Sequence, residues 1–154
     1  MTQIQEALQL ASTGAMGLYV GALLAEGFVF VPYWRSLPSD VFFSLHKENG
    51  PRLYRFFAPL TIAATLLAIG AAISCVATAQ PGRWPTVIAG ILSLTMVGIY
   101  LLYFKSGNAK FAAARISADE LAAELSLWAR WHWARVAIGI AAFAASLLGL
   151  RGLA

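Results

Sequence analysis

The sequence predicts an all-α integral membrane protein, a single domain in which four helices pack as a bundle and a short amphipathic helix lies at the interface between the first two. Three observations predict it. The 154-residue chain is 60% hydrophobic and only 12% charged, about half the charge of a soluble domain. Four segments reach the ~20 apolar residues that cross the hydrocarbon core, and a spanning segment must satisfy its own backbone as a helix. Nine of the eleven basic residues fall in the two longer connections or at the helix ends beside them.

The first helix is expected over about 8–33. It carries "GAMGLYVG", in which Gly17 and Gly21 form a G-x-x-x-G pair that lets helices approach closely, within the chain or between copies of it or other membrane subunits. Pro32, Tyr33 and Trp34 mark its end. "MTQIQEALQL" lacks a basic start and contains Glu6, so this helix is expected to be retained rather than cleaved as a signal. The connection "LPSDVFFSLHKENGP" has a capping residue after Pro38 and a Gly50-Pro51 stop, which predicts the short interfacial helix. The second helix is expected over about 53–79, and the third over about 86–104. Ser117 with Glu120 forms a capping box. The last helix therefore starts near 117 in water and runs to about 150, with its membrane part at about 131–150.

Arg35, Lys47, Arg52 and Arg55 border the first long connection, and Lys105, Lys110, Arg115, Arg130 and Arg135 the second. The positive-inside rule places both on the cytoplasmic side and both termini outside, in a bacterial inner membrane. Basic residues flanking apolar helices are no nucleic-acid patch. Cys75 is the single cysteine, so intrachain disulfides and cysteine-based zinc sites are excluded.

Ionisable groups at membrane depth point to function. Glu26 lies eight residues inside Trp34, roughly 12 Å at the helical rise, too deep for a glutamate to reach water. It must pair with a cation, bind a metal, face a wet cavity or stay protonated. His132 and Arg135 are three apart at the mouth of the uncharged run 136–150 and share a helix face. Arg55 lies one turn inside Arg52. The spacing brings all four near the cytoplasmic ends of the helices, where a bundle can converge them on one pocket. Trp128, Trp131, Tyr103 and Phe30 would wall it. Each residue also has a structural reading: Glu26 as a tether, Arg135 reaching up to headgroups, Arg55 as a positive-inside charge, and His132 and the aromatic residues as interfacial groups. His46, His132 and Glu26 are the one donor set suited to a non-haem metal, and the two histidines the one set for a haem. No spacing joins either set.

"GLYVGALLAEGFVFVPYWRSLP", "ENGPRLYRFFAPLTIAATLLA" and "LWARWHWARVAIGIAAFAASLLGL" together resemble the anthrone oxygenase-like family of small four-helix membrane proteins. The last helix of that family opens with W-x-x-W-[NH]-x-x-R, which falls here on Trp128, Trp131, His132 and Arg135. The resemblance implies oxygenation of a lipophilic aromatic or quinone-like molecule with no added cofactor. His132 or Glu26 would serve as base, and Arg135 or Arg55 would hold the oxyanion. A non-catalytic accessory or lipid-binding subunit of a larger complex is the alternative. A proton-relay or transport component and a weaker echo of glutathione-linked four-helix enzymes, from "LHKENGPRLYR", also stay open.

Overall fold

The computed structural model describes residues 3–80 and 83–151. Pro81 and Gly82, part of the expected "AQPGRWP" turn, lie outside the described residues. The described residues fold as four long helices: α1 (Gln3–Ser36), α2 (Ser39–Ala77), α3 (Trp84–Ala112) and α4 (Ala118–Arg151), each long and apolar enough to cross a membrane. Helices consecutive in the chain pack side by side, and α4 closes the ring against α1. One end of the bundle holds the connections 37–38 and 113–117 with most of the basic residues, and is called here the basic end. The other holds Gln3, Arg151 and the 78–83 connection, and is called the terminal end.

Two of the expected boundaries differ from the structure. No separate interfacial helix forms, because α2 runs unbroken from Ser39 to Ala77 through Pro51 and Pro59. At ~1.5 Å per residue its 39 residues extend about 58 Å, far more than the ~30 Å hydrocarbon core needs. Tertiary contacts hold the first turns in place. Phe42 is buried and packs on Phe111 with ring centroids 5.2 Å apart, and His46 packs on the same ring at 5.5 Å. The third helix likewise continues past 104 to Ala112, where burying Phe111 outweighs the weak helix preference of "KSGNAKFA".

Local chemistry accounts for the helix ends. Ser117 Oγ accepts from Glu120 N–H at 3.3 Å and donates to Glu120 Oε2 at 2.8 Å, and Ser117 N–H donates to the same carboxylate at 3.3 Å. These reciprocal bonds start α4. At the end of α3, Arg115 N–H donates to the Lys110 carbonyl and Ala114 N–H to that of Phe111. At the end of α2, Gln80 N–H reaches Cys75 and Ala79 N–H reaches Val76. Both are Schellman closures, with Ala114 and Ala79 in the left-handed region at φ 47° and 48°.

The middle and terminal end are close-packed through small residues. Ala64, Ala68, Ala89, Ala142 and Ala145 are buried where helices meet. A methyl on Gly139 would stand 3.1 Å from Val20 Cγ2, and one on Gly149 would collide with Thr86 Oγ1. Gly17 faces Phe143 of its own chain, with 3.0 Å between its would-be methyl and the ring, whereas Gly21 faces open space. The Gly17/Gly21 pair thus spends one member inside the bundle. Ile62, Leu66, Ile73, Leu94, Leu102 and Leu148 stand exposed on the outside, an apolar belt around the bundle.

Candidate functional site

The site begins with a change in helix geometry. At Glu26–Phe30 α1 widens into a π-helical turn, in which Val31 N–H donates to the Glu26 carbonyl five residues back. A second π turn, Tyr100–Phe104, lies in α3. Such turns re-aim side chains and occur often at functional sites. Here the first begins at Glu26, and the second ends at Phe104, under Arg135.

Glu26, His132 and Arg135 come together between α1 and α4. Arg135 Nη2 donates to Glu26 Oε2 at 3.2 Å and to His132 Nδ1 at 3.1 Å. His132 Nε2 lies 3.0 Å from the Leu23 carbonyl. A carbonyl only accepts and a guanidinium only donates, so this network assigns the ring proton to Nε2 and leaves Nδ1 as acceptor. Nδ1 and Glu26 Oε2 lie 3.4 Å apart, joined through the one Arg135 nitrogen that serves both. Glu26 is 5% exposed, Arg135 7% and His132 0%.

Aromatic rings fix this cluster. Trp128 stacks on His132 with centroids 5.2 Å apart and planes within 7°. Trp128 Nε1 donates to Asn108 Oδ1 at 2.9 Å, and its ring meets Trp34 and Phe104 edge-on. The Arg135 guanidinium lies 4.3 Å over the Phe104 ring, a cation–π contact. Gly27 lets α4 approach, since a methyl there would stand 3.1 Å from His132 Nε2.

A cavity of about 610 Å³ opens beside the cluster. Its size falls in the ~300–1,000 Å³ range of small-molecule sites. Glu26 and Arg135 lie on its wall with Trp34, Trp128, Phe104 and Tyr19; Phe57, Thr61 and Thr65 of α2 face them. His46, Lys47, Lys105 and Asn108 line it toward the basic end. His132 does not line it. It braces Arg135 from behind.

Of the other expected residues, Trp128 and His46 reach the cavity. Arg55 is exposed on the outer surface of α2 and joins neither the cavity nor the cluster. Phe30 is 41% exposed and rests on Trp34. Trp131 and Tyr103 stack on each other, 5.5 Å apart, away from the cavity. His46 sits among Trp34, Phe42 and Phe111 rather than beside Glu26 and His132. Among the described residues, no three His, Cys, Asp or Glu side chains gather as a metal site. Sequence reasoning missed Asn108, Phe104, Thr65 and Gly27. Only Gly27, beside Glu26, carried a readable signal: a glycine next to a buried charge marks a close approach.

No protein-family model matches the chain, and neither a curated protein nor a solved structure matches it. The class of protein rests on the fold alone: an all-helical bundle of four helices, each of membrane-spanning length and polarity, with a buried charged cluster beside a cavity.

Proposed function

We propose that this protein is a membrane-embedded oxygenase-like enzyme acting on a small lipophilic carbonyl compound, with the basic end cytoplasmic. A single observation carries the reading: a buried carboxylate and guanidinium, bonded to each other, share the wall of an otherwise largely apolar cavity. Holding two charges there costs several kcal/mol unless a partner or a function offsets it.

The chemistry follows from the atoms. Both contacts to Glu26 fall on Oε2. Oε1 is then the base that takes a proton from carbon beside the substrate carbonyl. The electron pair left behind delocalises onto the carbonyl oxygen, and Arg135 holds that oxyanion. The carbanion adds dioxygen, Glu26 returns its proton to the peroxide, and loss of water leaves a new carbonyl. For anthrone, the substrate class implied by the family resemblance, the balance is anthrone plus O2 giving anthraquinone plus water. His132 holds Arg135 in place and touches no substrate.

The test is oxygen uptake by proteoliposomes supplied with anthrone. The wild type should consume oxygen and form anthraquinone faster than protein-free liposomes, and Glu26→Gln should fall to that background. A wild type no faster than lipid alone would overturn the assignment. One observation favours a second reading, a non-catalytic lipid-binding subunit: part of the cavity wall is also outer surface, so a lipid chain could occupy it. That reading predicts a stoichiometric phospholipid retained through purification and no oxygen uptake.

A further inference from the structure

Two residues of the cavity wall each carry a buried polar atom with no hydrogen-bond partner among the described residues: Arg135 at Nε and Thr65 at Oγ1. Both residues are 7% exposed. Thr65 is unusual for a helical threonine. One turn earlier, Thr61 Oγ1 donates to the Phe57 carbonyl at 2.7 Å, the ordinary arrangement. Thr65 makes no such bond. Buried polar groups are nearly always paired, so two orphans on one wall call for a partner that the chain does not supply.

Their chemistry limits that partner. Arg135 Nε–H only donates, and a threonine hydroxyl donates or accepts. An oxygen acceptor suits both: a ketone, a quinone or an enolate. An ammonium group or another cation does not suit Arg135.

The way in is also visible. Tyr54, Ile62 and Leu66 of α2 and Leu101 of α3 line the cavity and at the same time stand on the outer surface, Leu66 at 63% exposed and Leu101 at 58%. They belong to the apolar belt. Leu66 follows Thr65 in the helix, so this opening lies at the depth of the orphan hydroxyl.

We propose that the ligand enters sideways from the hydrocarbon through a window between α2 and α3, bordered by Ile62, Leu66 and Leu101, and that the Thr65 hydroxyl and Arg135 Nε–H hold its acceptor oxygen. This rests on the cavity being the ligand site, and it names Thr65 as a binding residue and lipophilic ketones or quinones as the ligand class.

Benzophenone tests it, being a lipophilic ketone that inserts into nearby C–H bonds on illumination. Protein in phosphatidylcholine liposomes is labelled over a range of benzophenone concentrations and the adducts are mapped. Labelling should saturate and fall on cavity residues around Thr61, Thr65 and Phe104. Thr65→Val should weaken it about fivefold, one hydrogen bond's worth, while Thr65→Ser keeps the hydroxyl and should retain it. Leu66→Trp should slow labelling by narrowing the window. Adducts spread over Ile73, Leu94 and Leu102, or cavity labelling equal in Thr65→Val and wild type, would overturn the binding role. Unchanged labelling rates in Leu66→Trp would overturn the window. Saturable, Thr65-dependent labelling without oxygen uptake would leave this inference standing and remove the enzymatic assignment. Oxygen uptake on anthrone that ignores both variants would do the reverse.

Discussion

The two ends of the bundle solve the same problem in opposite ways. Both place polar side chains between apolar helices. At the terminal end the groups are uncharged and mostly close on one another: Gln9 Nε2 donates to Cys75 Sγ at 2.9 Å and to Thr86 Oγ1 at 3.0 Å, and the Cys75 thiol donates to Gln80 Oε1 at 3.0 Å, although one turn on from Gln9 the Thr13 hydroxyl has no partner among the described residues and does not line the cavity. Small residues bring the helices together around this network, and no room is left even for a methyl at Gly149. At the basic end the groups are charged and ringed by aromatic side chains, and two residues of the cavity wall, Thr65 and Arg135, each carry a buried polar atom with no partner among the described residues. A polar residue inside an apolar bundle is therefore not in itself a site. Open volume beside it and hydrogen-bonding capacity left over are what separate function from glue.

The largest effect should come from breaking the charged pair. Arg135→Ala strands Glu26 in the interior and should cost about 3–5 kcal/mol. Gln9→Leu, which breaks the uncharged network, should cost about 1–2 kcal/mol. Thermal unfolding in detergent compares them, and equal losses would erase the distinction between the ends. Next come two glycines. Gly149→Ala and Gly27→Ala each overpack a helix contact and should cost roughly 1–3 kcal/mol. They should differ in function. Gly27→Ala displaces His132 and with it Arg135, so anthrone turnover should fall, whereas Gly149→Ala should lower the unfolding temperature and leave turnover per folded molecule intact. Matching turnover in the two variants would mean that the brace behind Arg135 is dispensable. Smaller still is Ser117→Ala, which removes the cap of α4 and should cost about 1 kcal/mol. The smallest should be a gain: Ala114→Gly relieves a left-handed alanine and should stabilise by up to ~1 kcal/mol, seen as a higher unfolding temperature.

This contrast also explains what could be read in the sequence. Charges buried in apolar helices are costly enough that Glu26, His132 and Arg135 stood out, and the i, i+3 spacing of the last two put them on one face. The capping box at Ser117 was readable because its chemistry is local. Gly50-Pro51 misled, since packing of Phe42 and His46 on Phe111, more than 60 residues away in the chain, holds the helix through it. Arg55 misled because depth along a helix does not tell which way the helix is turned. The Gln9 network was invisible for a different reason: a glutamine, a threonine and a cysteine in separate helices carry no pattern until the bundle aligns them. Thr65 shows the same limit at the site itself. Helical threonines are common, and only the cavity reveals that this hydroxyl has nothing to bond.

The most direct test of the basic end as the site is binding of anthraquinone, followed by quenching of the cavity tryptophans Trp34 and Trp128. Ala58 lies on the cavity wall, so Ala58→Phe fills the space without touching the charged cluster. Saturable quenching is expected in the wild type and in Gln9→Leu, and its loss in Ala58→Phe. Equal quenching in all three proteins would contradict the account, because the ligand would then be elsewhere on the bundle.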